Sequence, residues 1–212
     1  MGWHLGNIEN SSSGVQSVTG LNTDNTDPYN PISQISVDNT TITGTGTPAN
    51  PLVANILSGK YGSFYDTTIQ TAVINTPTAM QYNQTDVLNT NGCSIQNDSF
   101  GNPTEIIAND RGTYDIQFSA QMYRTAGGTE EQLYIWLRKN GVDVPFSATQ
   151  ITFKDNSEFL VLAWNFFIDL TTIDNAQIMW LVTDANIRIT TTPVPINVPS
   201  VPSVILTIAK QF

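Results

Sequence analysis

Gly112-Thr113-Tyr114-Asp115-Ile116-Gln117-Phe118-Ser119-Ala120-Gln121-Met122 decides the fold of this 212-residue chain. Apolar side chains fall on every second residue, at Tyr114, Ile116, Phe118, Ala120 and Met122, with Asp115, Gln117, Ser119 and Gln121 between them. Strict alternation is the signature of a pleated strand with one buried face. A polar loop from Arg124 to Glu131 follows, centred on Gly127-Gly128. Leu133 to Leu137 is apolar on both faces and reads as a strand covered on both sides. Asn140-Gly141 supplies a tight reversal, since both residues tolerate positive φ. Val142, Val144 and Phe146 are read as resuming the alternation.

Outward from this hairpin the same texture continues. Phe64 to Ile74, Ala79 to Leu88, Ser94 to Phe100 and Thr104 to Ala108 read as short strands parted by Asn-Gly and Gly-Asn-Pro turns. Ile151 to Phe153, the long apolar run from Glu158 to Leu170, Ala176 to Val182, Ile187 to Thr190 and Ser203 to Ala209 complete the set. Pro193 to Pro202 carries four prolines and is excluded from a sheet centre. No segment keeps a helical period beyond two turns. The fold class is therefore all-β, a jelly-roll sandwich over residues 58–212.

The first quarter of the chain differs. Residues 1–14 hold Trp3, His4, Leu5 and Ile8 ahead of a Ser-Ser-Ser-Gly joint. Two readings stand: a frayed terminus, or a peg in which those four side chains insert into a partner surface. Residues 15–57 set short apolar pairs in Thr, Asn, Asp, Gly and Pro. They carry a loose repeat, Asn30-Pro31-Ile32 and then Asn50-Pro51-Leu52, 20 residues apart. No Lys or Arg occurs before Lys60. Such a segment cannot bury a core alone. It is expected to wind with copies of itself into a slender shaft, the alternative being a disordered linker.

Composition narrows the chemistry. Charged residues are only 12% of the chain, and the net charge is -10. An acidic surface argues against nucleic acid and anionic membrane, both of which need clustered Lys and Arg. No run reaches transmembrane length, the longest uninterrupted apolar segment being Phe159 to Trp164, and no signal-peptide pattern is read at the start. Cys93 is the only cysteine, so no intrachain disulfide can form; it reads as a buried thiol beside the Asn91-Gly92 turn. His4 is the only histidine, which leaves residues 58–212 without a Ser-His-Asp or Cys-His set and without zinc-type ligands. The carboxylates read as solvated strand-end and loop charges rather than a glycosidase pair, and Asp24 and Asp27 as turn formers rather than calcium ligands. No catalytic residue, metal or cofactor is expected. Tyr114, Phe118, Trp136, Trp164 and Trp180 are assigned by phase to the core or to a subunit interface.

Gly112 to Ala120, followed by Leu133-Tyr134-Ile135-Trp136-Leu137-Arg138-Lys139-Asn140-Gly141, resembles the C1q/TNF-like jelly roll, with its Gly-x-Tyr strand and its aliphatic strand ending in Lys-Asn-Gly. Leu170 to Leu181 is similar to the next element of that family, with Asp174-Asn175 where Gly-Asp is usual, and Ser203 to Ile208 resembles the closing strand. The resemblance covers about residues 61–212 and implies a homotrimer. Residues 15–54 resemble the short repeats in fibre proteins of tailed bacteriophages, which implies a trimeric shaft below a knob. Together the resemblances imply a virion protein displayed on the exterior surface, a capsid-attached head fibre or decoration protein. Its partners would be its own copies, the major capsid or another virion protein through the N-terminus, and a host-surface glycan through the knob. The alternatives are a receptor-binding tail-fibre tip and a carbohydrate-active enzyme.

Overall fold

The computed structural model describes residues 21–24, 32–35, 42–43, 48–49, 51–54 and 59–211. The chain divides into two units, Met1–Ser58 and Gly59–Phe212. The peg residues Trp3, His4, Leu5 and Ile8, the Ser-Ser-Ser-Gly joint, Asp27 and much of the expected shaft lie outside the described residues.

Within the first unit, β1 (Leu21–Asp24) pairs antiparallel with β2 (Ile32–Ile35), and β3 (Ile42–Thr43) pairs antiparallel with β4 (Val53–Ala54). The leading strands of the two pairs start at Leu21 and Ile42, the returning strands at Ile32 and Val53. Both intervals are 21 residues, one more than the 20 that separate the two Asn-Pro sites.

The second unit is a sandwich of two antiparallel sheets. Its strands in chain order are β5 (Tyr61–Asp66), β6 (Gln70–Thr71), β7 (Thr78–Ala79), β8 (Gln84–Thr85), β9 (Cys93–Asn97), β10 (Pro103–Ala108) and β11 (Gly112–Arg124). There follow β12 (Glu131–Lys139), β13 (Val142–Asp143), β14 (Thr149–Phe153), β15 (Phe159–Leu170), β16 (Asn175–Val182), β17 (Ile187–Ile189) and β18 (Val204–Lys210). One sheet runs β13-β12-β16-β10-β9, with β14 also on β12 and β7 also on β16. The other runs β6-β17-β11-β18-β5-β8, with β15 on the free side of β11. Chain neighbours repeatedly fall in opposite sheets, as β10 and β11, β11 and β12, and β14 and β15 do, which is jelly-roll winding.

The alternation at Tyr114, Ile116, Phe118, Ala120 and Met122 produces the floor of the core: all five are buried. Leu133, Ile135 and Leu137 of β12 and Ile178, Trp180 and Val182 of β16 face them from the other sheet and belong to the same buried cluster. Burying a Leu- or Ile-sized side chain contributes about 1.5–3 kcal/mol, so this layer is the main source of stability. Asn140 and Gly141 take φ of 50° and 77° and close the β12–β13 hairpin as the dipeptide predicts.

Four readings of the sequence need correction. Arg124 does not open the loop: it ends β11 and is buried, with Nη2 3.1 Å from Asp184 Oδ2 and Nη1 donating to the Thr129 carbonyl at 2.8 Å. The loop is thus wrapped around a buried guanidinium, and the Cβ of any other residue at Gly127, whose φ is +133°, would collide with that group. The alternation does not resume beyond Val142, since β13 is two residues long and Phe146, at φ 61°, is fully exposed. Phe64 to Ile74 is not one strand, because β5 ends at Asp66, whose carboxylate turns the chain by accepting from Thr68 N at 2.6 Å. Ala79 to Leu88 is broken too: Asp86 caps a single 3-10 turn, Val87–Asn89, by accepting from the Leu88 and Asn89 amides. In the last two the side-chain carboxylate competes with the sheet ladder for backbone donors.

Candidate functional site

The clearest irregularity of the sandwich is β15. It pairs with β11 over all twelve positions from Gly112↔Leu170 to Tyr123↔Phe159, and among the described residues no strand lies on its other edge. Edge strands are normally short, charged, bulged or interrupted by proline. β15 is twelve residues long, contains no Lys, Arg, Gly or Pro, and carries Asp169 as its one charge.

Both faces of β15 are apolar and neither is fully covered. On the inner face Leu160, Leu162, Trp164 and Phe166 are half-buried against the core. On the outer face Phe159, Val161 and Phe167 are 42%, 58% and 63% exposed. Phe118 meets Trp164 edge-on, with centroids 5.0 Å apart at 68°, and lies parallel to Phe166 at 6.4 Å. The Trp164 indole N–H is buried without a hydrogen-bond partner. An orphaned donor at a partly open edge is a cost that a further chain segment or water can relieve. Outside, Tyr123 packs on Phe159 at 6.0 Å, and the Arg188 guanidinium lies 5.5 Å from the Tyr123 ring centre. A polar centre separates the apolar ends, where Asp115 accepts from Gln117 Nε2 at 2.8 Å and Asn165 Nδ2 at 3.3 Å.

The aromatic residues singled out by phase go to different places. Tyr114, Phe118 and Trp180 are in the core, Trp180 at 0% exposure. Trp164 bridges the core and the β15 edge. Trp136 stands on the outer face of β12, opposite in phase to Ile135 and Leu137, and donates from Nε1 to Asp143 Oδ1 at 2.7 Å. Cys93 is buried, and desolvation pushes its thiol up to about 11 even though Lys60 pulls the other way.

The sequence reading did not single out Val161 and Phe167 as surface residues, because it read Glu158 to Leu170 as one long apolar run without placing that run at a sheet edge. The usable signal was the lack of any edge-protecting residue in so long a run.

The carboxylates stabilise turns. Asp174 accepts from Asn140 Nδ2 at 2.6 Å and from the Thr171 amide at 2.8 Å, and pairs with Lys139 Nζ at 3.0 Å. Those contacts, the Asn140 bond foremost, hold its carboxyl far below the usual range. Asp143 is lowered by Arg138 and by Trp136. At Asp184 burial opposes ionisation, and the Asn186 amide and the Arg124 guanidinium outweigh it. Among the described residues no three His, Cys, Asp or Glu side chains gather into a metal-binding group.

No family model matches the sequence, and no curated protein matches it. Among solved structures the chain is similar to the globular domain of a zebrafish complement 1qA protein, at 13% identity and a TM-score of 0.47, over 73% of this chain and 98% of that one. It is also similar to Eiger TNF from S. frugiperda, at 8% identity and a TM-score of 0.45, over 73% of this chain and 93% of that one. C1q and TNF globular domains are thus among the structural neighbours of an all-β sandwich whose winding is set by its own ladders.

Proposed function

We propose that the protein is a homotrimeric structural component of a tailed-phage virion, a capsid-attached fibre or decoration protein that acts by binding rather than turnover. The observation that carries the reading is β15, whose unprotected apolar edge is what association between copies covers. The trimeric count rests on the resemblance of Gly112 to Gly141 to jelly rolls that pack around a threefold axis. The virion assignment rests on the resemblance of residues 15–54 to fibre repeats, supported by the recurrence of the β1–β2 and β3–β4 pairs at 21 residues. Residues 1–14 serve as the docking peg, residues 15–57 as the shaft and residues 58–212 as the outward knob. Three identical knobs give avidity from individually weak contacts with a surface glycan.

Light scattering behind size exclusion tests the assembly. A mass of about 70 kDa, three times 23.2 kDa, is expected. A monomer overturns the proposal, and a dimer replaces the threefold contact with a twofold β15–β15 sheet. Deleting residues 1–14 is expected to leave the mass trimeric while abolishing incorporation into virions; retained incorporation refutes the peg.

A further inference from the structure

A cavity of about 680 Å³ lies over the outer face of β5 and β18, under the proline-rich segment 193–202. We propose that it is a binding site for an uncharged saccharide. The proposal deepens the glycan-display reading above by assigning it to a place and a ligand class.

The size is that of a pocket for a small ligand, two or three sugar rings at most. The floor is made by Tyr65 and Ile205, which sit opposite each other in the β5–β18 ladder and point away from the core. A half-buried phenol ring beside an aliphatic side chain offers a flat apolar surface to the C–H face of a pyranose. Around it stand hydroxyls. Those of Ser63, Tyr65, Thr191, Thr192 and Ser200 line the cavity, and none has a hydrogen-bond partner among the described residues. A hydroxyl both donates and accepts, so a ring of them matches a sugar's own mixed donors and acceptors.

Charge narrows the class. Asp86 is the one ionisable side chain besides Tyr65 in the lining, and no Lys or Arg joins it. Its carboxylate accepts from Asn89 Nδ2 at 2.8 Å and from the Leu88 and Asn89 amides, and it still has lone pairs for a sugar hydroxyl. Acidic sugars and phosphates meet a fixed negative charge with no counter-charge, and are disfavoured. A peptide finds no strand edge to extend here, because β5 is flanked by β18 and β8, and β18 by β11 and β5.

The wall is pre-shaped. Thr192 and Val201 form a β-bridge that closes the neck of the 193–202 segment, and Pro193, Pro195, Pro199 and Pro202 fix four of its φ angles. Restricting the loop before binding lowers the ordering cost of capture. The site also lies across the sheet from β15, with β11 between β15 and β18, so covering the β15 edge leaves the cavity open.

The test applies the full-length protein to an array of neutral and acidic oligosaccharides, then measures the best neutral hit by saturation-transfer NMR. Neutral glycans are expected to bind. Tyr65→Ala should weaken binding at least about tenfold, and Thr192→Val and Ser200→Ala, which preserve shape, about two- to fivefold each. Phe146→Ser, remote from the cavity, should change nothing. Silence from every neutral glycan, preference for acidic ones, or undiminished binding in all three cavity variants overturns the proposal. Mass is read in parallel. A trimer that ignores glycans loses the cavity proposal alone, and a monomer whose glycan binding needs Tyr65 loses the trimer alone.

Discussion

β15 and β16 are both mostly apolar and have opposite fates. Both are long and apolar on both faces. β16 lies between β12 on one side and β10 and β7 on the other, so Ala176, Gln177, Ile178, Met179 and Trp180 are buried in succession. β15 lies at an edge with one ladder, and its residues alternate between exposed on the outer face and half-buried on the inner, with only Ile168 and Leu170 fully buried. Hydrophobicity alone does not determine burial. Position in the sheet does, and an apolar strand placed at an edge keeps one side open.

The sharpest way to break the comparison is to truncate one tryptophan from each strand. Trp180→Ala empties a fully enclosed site and is expected to cost about 3–5 kcal/mol, read as a large fall in the urea midpoint. Trp164→Ala removes a ring that is only half-covered and should cost clearly less; both indole N–H groups lack a hydrogen-bond partner, so the difference reads burial alone. Equal costs would mean that β15 is as enclosed as β16 within a single chain.

A second variant separates association from folding. Val161→Asp places a charge on the exposed face of β15 and is expected to reduce the scattering mass from about 70 kDa towards 23.2 kDa while leaving the far-ultraviolet dichroism unchanged. An unaltered mass would move the contact away from β15.

A smaller effect is expected at the turn that launches β16. Asp174 is held far below its ordinary range by Asn140, Thr171 and Lys139. A depressed folded-state value stabilises the protein above the unfolded carboxyl value near 3.9, and that stabilisation is lost as pH falls through the folded value. Asp174→Asn should therefore lower Tm at pH 7, and the gap to wild type should narrow progressively below pH 4. A gap independent of pH would assign the loss to geometry rather than charge. The smallest effect concerns Cys93, whose thiol stays protonated at pH 8 because burial raises it to about 11. Native protein should react with iodoacetamide far more slowly than urea-unfolded protein, and comparable rates would place the thiol at the surface.

The sequence exposed the parts of the fold that depend on period and turn chemistry. The alternation in β11 and the Asn140-Gly141 reversal are local patterns, and both appear in the structure as read. Arg124 was misplaced because nothing local says that a guanidinium will find Asp184, 60 residues away, as its buried partner. The breaks at Asp66 and Asp86 were missed because a carboxylate that captures backbone amides looks the same in sequence as one in solvent. The candidate sites were less legible still. The β15 edge depends on sheet order, and the cavity brings Tyr65 together with Thr192, which are far apart in the chain. Neither follows from spacing.

The final strand, β18, lies between β11 and β5 and hydrogen-bonds to both, pairing Ala209 with Tyr61. The middle of one sheet is therefore made from the two extremes of the second unit. During synthesis β5 emerges long before its neighbour exists, and the sheet cannot close until residues 204–210 have left the ribosome. The exposed apolar edge of β15 is translated earlier but belongs to a finished surface only after that closure.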